Sequence, residues 1–400
     1  MGEEVDQHVL SRYGILEKVG KGAYGIVWKS FERKTGTVVA LKKIFGAFRN
    51  ETDAQRTFRE IVYLTALSHD NIIKLMNVLK AENDRDIYLV FDYMDTDLHS
   101  AIKADILEDI HKQYIIYQLL KAIKFMHSGK LLHRDMKPSN ILLNAECKVK
   151  VADFGLARSI PIETDNNSGN SVLTDYVATR WYRAPEILLG SNVYTVGVDM
   201  WSLGCIMGEL LLGKPILQGK STLDQLKLIV NFIGSPSHSD SLEIKSDFAP
   251  QMLAALPVTQ GRDFKTVFTN ASNDALDLLK KLLQFNPKKR LSAQDALEHP
   301  YLKDFHNASD EPLYNGIIKS PIDDNKKFSV AEYRESVYNE IKRQKREQKY
   351  SRKWNYELYQ QGKKYQERNN YIQEDPNHRR LQRNNAKINS KYNSNERRLH

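Results

Sequence analysis

Hydrophobic positions cluster into β-rich runs, with Val, Ile, Tyr, Trp and Phe prominent, in "YGILEKV", "GIVWKSF" and "VVALKKI", all within roughly the first 90 residues. Three strands follow from that pattern, with "KTG" as a turn. The next stretch, "DAQRTFREIVYLTAL", repeats its apolar residues at helical spacing, and "DIYLVFDY" reads as a further strand ending near Met94. Beyond Met94 the helical period takes over, in "HKQYIIYQLLKAIKFMHS" and "VDMWSLGCIMGELLLG", the second with Gly213 as a stop. A β-rich piece followed by a helical one predicts an α+β fold of two lobes with a cleft between them. Val330, Tyr333, Val337 and Ile341 recur at helical spacing after Pro321, predicting a helix to about residue 345 that packs back on the body. Further on, Lys, Arg, Gln, Asn and Tyr replace the pattern, a composition that predicts disorder or a helix held only by a partner.

The chain has 400 residues, of which 41% are hydrophobic and 27% charged, enough to bury a sizeable core. No window approaches the roughly 18 consecutive apolar residues of a membrane span. The opening "MGEEVDQHVL" is unlike a signal peptide, and Asp6 stands where the myristoylation pattern wants Ser or Thr, so no membrane insertion is expected. Cys147 and Cys205 are far apart, without metal-type or disulfide-type spacing, which predicts a reducing cytoplasmic or nuclear compartment. The net charge of +9 is uneven: residues 341–400 hold 17 Lys and Arg against 6 Asp and Glu, leaving residues 1–340 at −2. Basic character therefore belongs to the tail.

Candidate chemistry begins at "GKGAYGIV", where Gly20, Gly22 and Gly25 have GxGxxG spacing. A dinucleotide fingerprint runs from strand into helix, whereas these glycines lie between two strand-like runs, as in a loop folded over nucleotide phosphates. Glycine suits that place because backbone N–H groups can approach phosphate with no Cβ in the way. Lys42 follows on a strand and Glu60 in the middle of a helix, and either alone reads as an ordinary surface charge. The decisive run is "LLHRDMKPSNILL", followed 18 residues after Asp135 by Asp153 of "VADFGLAR".

Taken together, these motifs resemble the catalytic and metal-binding loops of eukaryotic protein kinases. The resemblance implies a bilobal kinase domain over 13–302, with lobes 13–91 and 95–302 joined by a hinge at 92–94. An extension over 303–345 and a basic tail over 346–400 would follow. It implies ATP and Mg²⁺ as cofactors. Phosphoryl transfer needs groups positioned in line and charge neutralised rather than covalent help. Asp135 would orient the substrate hydroxyl, Lys137 would balance the migrating phosphate, and Asn140 and Asp153 would supply hard oxygen ligands to the metal. Glu60 would orient Lys42 towards the phosphates. Val19, Gly20, Lys21, Gly22, Ala23, Tyr24, Gly25 and Val27 would cover the nucleotide, with Phe91 as gatekeeper, Asp92 to Met94 pairing with adenine, and Val27, Ala40 and Leu143 sandwiching its ring. Met136 stands where the family loop often has Leu, a volume-conserving swap. His133 reads as a structural member of the loop, Glu186 and Arg290 as a buried ion pair, and Asp199 as the support of the catalytic loop.

The stretch "LTDYVATRWYRAPE" places Thr174 and Tyr176 one residue apart and resembles the activation motif of mitogen-activated protein kinases. "GKPILQGKSTLDQL", "FIGSPS" and "SDEP" are in the same style, and "FSVAEYRESVYNEI" with its basic extension is most similar to the atypical extracellular signal-regulated kinase, or mitogen-activated protein kinase 15, branch. The resemblance implies transfer to Ser/Thr-Pro sites on proteins, with phosphatases and regulators as partners, self-phosphorylation, and by branch a cilium or basal body as a further location. Arg59, Arg134 and Arg158 would converge on phosphorylated Thr174, with Arg180 and Arg183 receiving phosphorylated Tyr176. Ordering such a loop from 1% to 99% takes roughly 5.5 kcal/mol, within reach of two or three charge-assisted hydrogen bonds. One departure touches docking: Asn307 replaces the first acidic residue before "SDEP", leaving Asp310 and Glu311, so conventional docking is in doubt and the basic tail could recruit acidic partners. Two alternatives stand beside this reading, a cyclin-dependent-type kinase and a scaffold or RNA-binding role for the tail, whose Tyr350, Trp354, Tyr356, Tyr359 and Tyr365 alternate with cations. Nucleic acid is the weaker of the tail's options, because no RNA-binding motif accompanies these residues.

Overall fold

Along the first strands, side chains alternate between a packed upper layer and a cleft below, as the period of two requires. The computed structural model describes residues 3–346, apart from 23–24, 161–178, 192, 325 and 344. After a short helix α1 (Gln7–Leu10), strands β1 (Tyr13–Gly22), β2 (Gly25–Glu32), β3 (Val38–Ile44), β4 (Leu75–Lys80) and β5 (Ile87–Asp92) form an antiparallel sheet in the order β1-β2-β3-β5-β4. Ile26, Trp28, Val39, Leu41, Tyr88 and Val90 pack with Val9 and Tyr13 into the upper core. Strand β4 is absent from the pattern-based reading. Its sequence "LMNVLK" does not alternate cleanly, and a register shift between Leu75 and Asn77 breaks its pairing.

Helix α2 (Glu51–Ala66) connects β3 to β4. Asn50 caps it, its side chain accepting from the Asp53 backbone N–H at 2.8 Å, and Glu51 and Asp53 add negative charge to the first turn. The lower lobe opens with β6 (Thr96–Asp97), α3 (Leu98–Lys103) and α4 (Asp109–Ser128). Four short strands follow, β7 (Leu131–Leu132), β8 (Ile141–Leu143), β9 (Val149–Val151) and β10 (Arg158–Ser159), then helices α5 (Pro185–Leu188) and α6 (Gly197–Leu212). From Gly197 to Leu210 every residue of α6 is buried, so it is the central helix of this lobe. It ends at Gly213 with φ of 76°, the left-handed conformation that glycine adopts without strain. No helix among the described residues is long and apolar enough to cross a membrane.

The segment after 303 lies along α4 and climbs to α2. Ile318 N–H donates to the Gly129 carbonyl at 2.9 Å, and a Cβ on Gly129 would sit 2.6 Å from Ile318 Cδ1, so this crossing needs glycine. Residues 330–337 are helical, with Tyr333 and Val337 buried and the Tyr333 ring 5.7 Å from Phe58 of α2. A second unit begins at Tyr338; its described part is helical to residue 343, with Glu340 and Arg343 paired at 2.5 Å.

Glu186 and Arg290 form the expected buried ion pair, two parallel bonds of 2.7 Å, with the guanidinium also donating to the carbonyls of Gln284, Phe285 and Gly197. All its donors are therefore used in the dry interior. Glu186→Ala leaves that cation buried without its anion, and we expect a loss of about 3–5 kcal/mol in chemical denaturation. A loss no larger than that of a surface control such as Lys303→Ala would contradict the structural role of the pair.

Candidate active site

The alternation that buries Val39, Leu41 and Lys43 turns Ala40 and Lys42 to the other face of β3, and the same period puts Gly25 and Val27 there on β2. These residues roof the cleft. Lys42 Nζ meets Glu60 Oε1 of α2 at 2.7 Å. Burial alone would lower the lysine's pKa, but Glu60 and Asp153 outweigh it and hold the ammonium charged above its ordinary value. Asp153 lies across the cleft in a left-handed conformation, φ 63°, its side chain accepting from the Gly155 backbone. Burial opposes its charge, yet Lys42, His133 and Lys137 together pull its pKa below the usual carboxylate range. Lysine and aspartate thus keep each other ionised.

The floor is built around Asp199, which is fully buried at the start of α6. Its Oδ2 accepts from the His133 backbone N–H at 3.0 Å and lies 2.9 Å from His127 Nε2, while its Oδ1 accepts from the Arg134 N–H at 2.8 Å. These bonds hold the backbone at Arg134 in a left-handed turn, φ 68°, which costs about 1–3 kcal/mol in a residue with a side chain. The turn delivers Asp135 to the cleft. Lys137 Nζ meets Asp135 Oδ2 at 2.7 Å, and Asn140 Nδ2 donates to the Asp135 carbonyl and to Oδ2 at 2.9 and 3.1 Å. His133 Nε2 lies 3.0 Å from the Ala152 carbonyl and its ring packs edge-on against Phe154, so the histidine ties the two loops together.

Two cavities of about 550 and 470 Å³ that share lining residues occupy the cleft. The larger is lined by Val19, Gly20, Val27, Ala40, Phe91, Asp92 and Met94 of the expected set. The smaller has Gly22, Gly25, Asp135 and Lys137 in its walls, and Lys42, Glu60 and Asp153 belong to both. Lys21 lines neither and pairs with Glu3 at 2.5 Å, while Ala23 and Tyr24 lie outside the described residues. Leu143 has to be corrected. It is 3% exposed and absent from the walls, whereas Leu142 lines the larger cavity. Adjacent residues of β8 point to opposite faces, so only one of the two can meet the cleft. Tyr93 of the expected hinge lines it too, and Ile73, Asp97, Ser100, Ser139 and Ala152 were not anticipated; Ser139 and Ala152 sit inside the two catalytic motifs, whereas the other three come from segments that carry none.

Thr174 and Tyr176 lie outside the described residues. Of the arginines expected to serve them, Arg59, Arg134 and Arg158 are brought close enough together that, beside burial, the charges of Arg134 and Arg59 lower the pKa of Arg158. Arg134 keeps Nε and Nη1 buried without a partner among the described residues and stacks on Tyr194 at 4.9 Å. Arg59 is already engaged, its Nε donating to Asp324 Oδ1 at 3.2 Å. Arg180 donates to the Lys220 carbonyl at 3.1 Å, and Arg183 lies beside Asp135 in the wall of a small neighbouring cavity. The docking acids of the extension are also engaged: Asp310 meets Lys121 at 2.6 Å, and Glu311 meets Lys124 at 3.2 Å and His306 at 2.7 Å.

Asn140 spends its amide nitrogen on Asp135, which leaves its oxygen as the atom able to bind a cation opposite the Asp153 carboxylate. That oxygen pair fits a hard divalent ion. A charged lysine, a catalytic aspartate and a metal-type carboxylate around one nucleotide-sized cleft between a sheet and a helical lobe are the working parts of a phosphotransferase. The chain matches the protein kinase domain family over residues 13–302 and belongs to it. Over 348 residues it is 62% identical to extracellular signal-regulated kinase 2 of Dictyostelium discoideum, covering 87% of this chain and 94% of that one. It is 54% identical to mitogen-activated protein kinase 15 of Xenopus laevis over 86% of its own length, but spans 61% of that relative. Extracellular signal-regulated kinase 7 of Drosophila melanogaster is 46% identical over 348 residues, which is 86% of this chain but 38% of that relative. Within the family the chain is therefore an ATP-dependent serine/threonine kinase of the mitogen-activated type, rather than the cyclin-dependent alternative. Protein substrates and a divalent metal come with that class.

Leu142 and Leu143 provide a direct check of the cleft. We expect Leu142→Ala to raise the KM for ATP by about fivefold or more with the fold intact. Leu143→Ala should instead cost about 2–5 kcal/mol in stability and leave the KM of the folded enzyme unchanged. The opposite assignment of effects would place the wrong face of β8 against the nucleotide.

Proposed function

We propose that this kinase transfers the γ-phosphate of ATP to Ser/Thr-Pro sites in proteins and is switched on by phosphorylation of Thr174 and Tyr176, which it places there itself. The observation that carries the reading is the assembled site, in which Lys42 pairs with Glu60 at 2.7 Å while Asp135 and Asp153 face the same cavity. Asp135, positioned by Lys137 and Asn140, accepts the proton of the substrate hydroxyl as it attacks. Lys137, beside it, neutralises the phosphoryl group as it moves, and Lys42 anchors the phosphates that stay behind. Asn140 and Asp153 would hold Mg²⁺, which when bound offsets the negative charge of the phosphates.

Proline preference follows if the pocket shaped by Arg180 and Arg183 offers no acceptor for a backbone N–H after the target residue, since proline has none to leave unsatisfied. The engaged state of Asp310 and Glu311 supports a weak response to basic docking motifs, and the basic tail supports acidic partners. Both cysteines being free supports a cytoplasmic or nuclear site of action, with the cilium a location suggested by the branch.

ATP-dependent labelling of the purified chain beside Asp153→Ala tests the mechanism. The wild type should label Thr174 and Tyr176, and the variant should lose activity by about a thousandfold or more, as for a group that acts chiefly in the transition state. Equal incorporation by the two would refute the assignment. Peptide-library profiling should return proline directly after the phosphorylated residue, and a flat profile at that position would remove the Ser/Thr-Pro part of the proposal.

A further inference from the structure

Helix α2 carries Glu60 towards Lys42, and the residue before it, Arg59, lies on another face of the helix. Arg59 is 4% exposed, and a guanidinium so placed must have an anion or leave the interior. The anion present is Asp324, from the segment after 303. Its Oδ1 accepts from Arg59 Nε at 3.2 Å, and its Oδ2 accepts from the hydroxyl of Tyr63, one turn further along α2. One carboxylate therefore grips two residues at i and i+4 of the same helix. Its own segment is anchored below: Ile318 is 1% exposed and bonded to Gly129, and Ser159 Oγ donates to the Ile318 carbonyl at 2.6 Å.

We infer that Asp324 is a positioning residue that holds α2 in its working place before Thr174 is phosphorylated, standing in at Arg59 for the phosphate that later arrives. The inference rests on the kinase reading and its Thr174 switch. Without Asp324, the cheapest way to rehydrate Arg59 is to swing α2 outward, and that motion withdraws Glu60 from Lys42. Phosphorylated Thr174 removes the dependence, because a dianion can satisfy Arg59 together with Arg158 and with Arg134, whose Nε and Nη1 have no partner among the described residues. Asp324 brings one negative charge to a cluster of three arginines; the phosphate brings roughly two. The full chain is thus competent enough to phosphorylate its own loop, and the phosphate then takes over the hold.

The test compares the full-length kinase in two states. In a Thr174→Ala, Tyr176→Phe background, which cannot be phosphorylated at the switch, Asp324→Asn should lower kcat for a Ser-Pro peptide by about tenfold with little change in KM, the signature of a less populated competent state. Asp324→Glu should restore most of the rate, and Tyr63→Phe should fall between. In the otherwise wild-type chain after prolonged incubation with ATP, with both loop sites verified as phosphorylated, Asp324→Asn should change kcat by about twofold or less. Equal loss in both states would make Asp324 merely structural, and no loss in the unphosphorylatable state would remove its role; either overturns the inference while the kinase reading stands. An Asp324→Asn chain that does not fold leaves the decision to Asp324→Glu and Tyr63→Phe, which must then separate in the unphosphorylatable state and converge after phosphorylation. Absence of transfer by every chain, the phosphorylated wild type included, would instead overturn the kinase reading itself.

Discussion

A carboxylate without water must be surrounded by donors, and Asp199 meets that condition through two backbone amides and the imidazole of His127. The amides belong to His133 and Arg134, so satisfying the buried charge and bending the catalytic loop are one event. Burial pushes against the ionised form of Asp199, but His127, His133 and the Arg134 amide prevail and keep its pKa low. The left-handed turn at Arg134 persists because releasing it would strand that charge. Asp135, Lys137 and Asn140 inherit their geometry from this one constraint, and His133 passes it on to the Ala152 carbonyl and so to Asp153.

Upper and lower halves of the site are then joined by electrostatics as well as by the packing of α2 on the Phe154–Leu156 turn. Lys42 on the sheet and Asp153 on the floor stabilise each other's charge across the cleft, while Glu60 on α2 fixes the lysine's direction. The ion pair makes the site depend on where α2 sits. Elements held only by apolar contact slide with little penalty, whereas a displaced Glu60 leaves a buried cation facing the cleft. This makes the position of α2 the natural point of control.

Much of this was legible in the chain itself. The β-rich runs located β1, β2, β3 and β5, and the loops around Asp135 and Asp153 named the chemistry, because short motifs at tight turns tolerate few alternatives. The pattern was silent on β4, whose "LMNVLK" is half-buried without alternation, and ambiguous at Leu142 and Leu143, where two identical residues on opposite faces differ only in the register of β8. Asp324 was invisible for another reason. It lies 265 residues from Arg59, in a stretch with no motif, and only the path of the chain brings the two together. The docking acids show the same limit: Asp310 and Glu311 could be named from their neighbours in sequence, but not the lysines of α4 that neutralise them.

That separation of 265 residues also matters during synthesis. The sheet of the upper lobe draws all its strands from residues 13–92 and can close early, while Asp324 emerges from the ribosome only after the whole lower lobe. A chain made from its N-terminus folds its domains in the order they appear, so for most of translation α2 has its sheet but not its clasp. A nascent kinase therefore passes through a long interval in which Arg59 and Phe58 lack the carboxylate and the Tyr333 ring that later cover them. Phe58, an apolar ring hidden in the finished chain, is then part of the surface that a cotranslational chaperone would meet on this half-made protein.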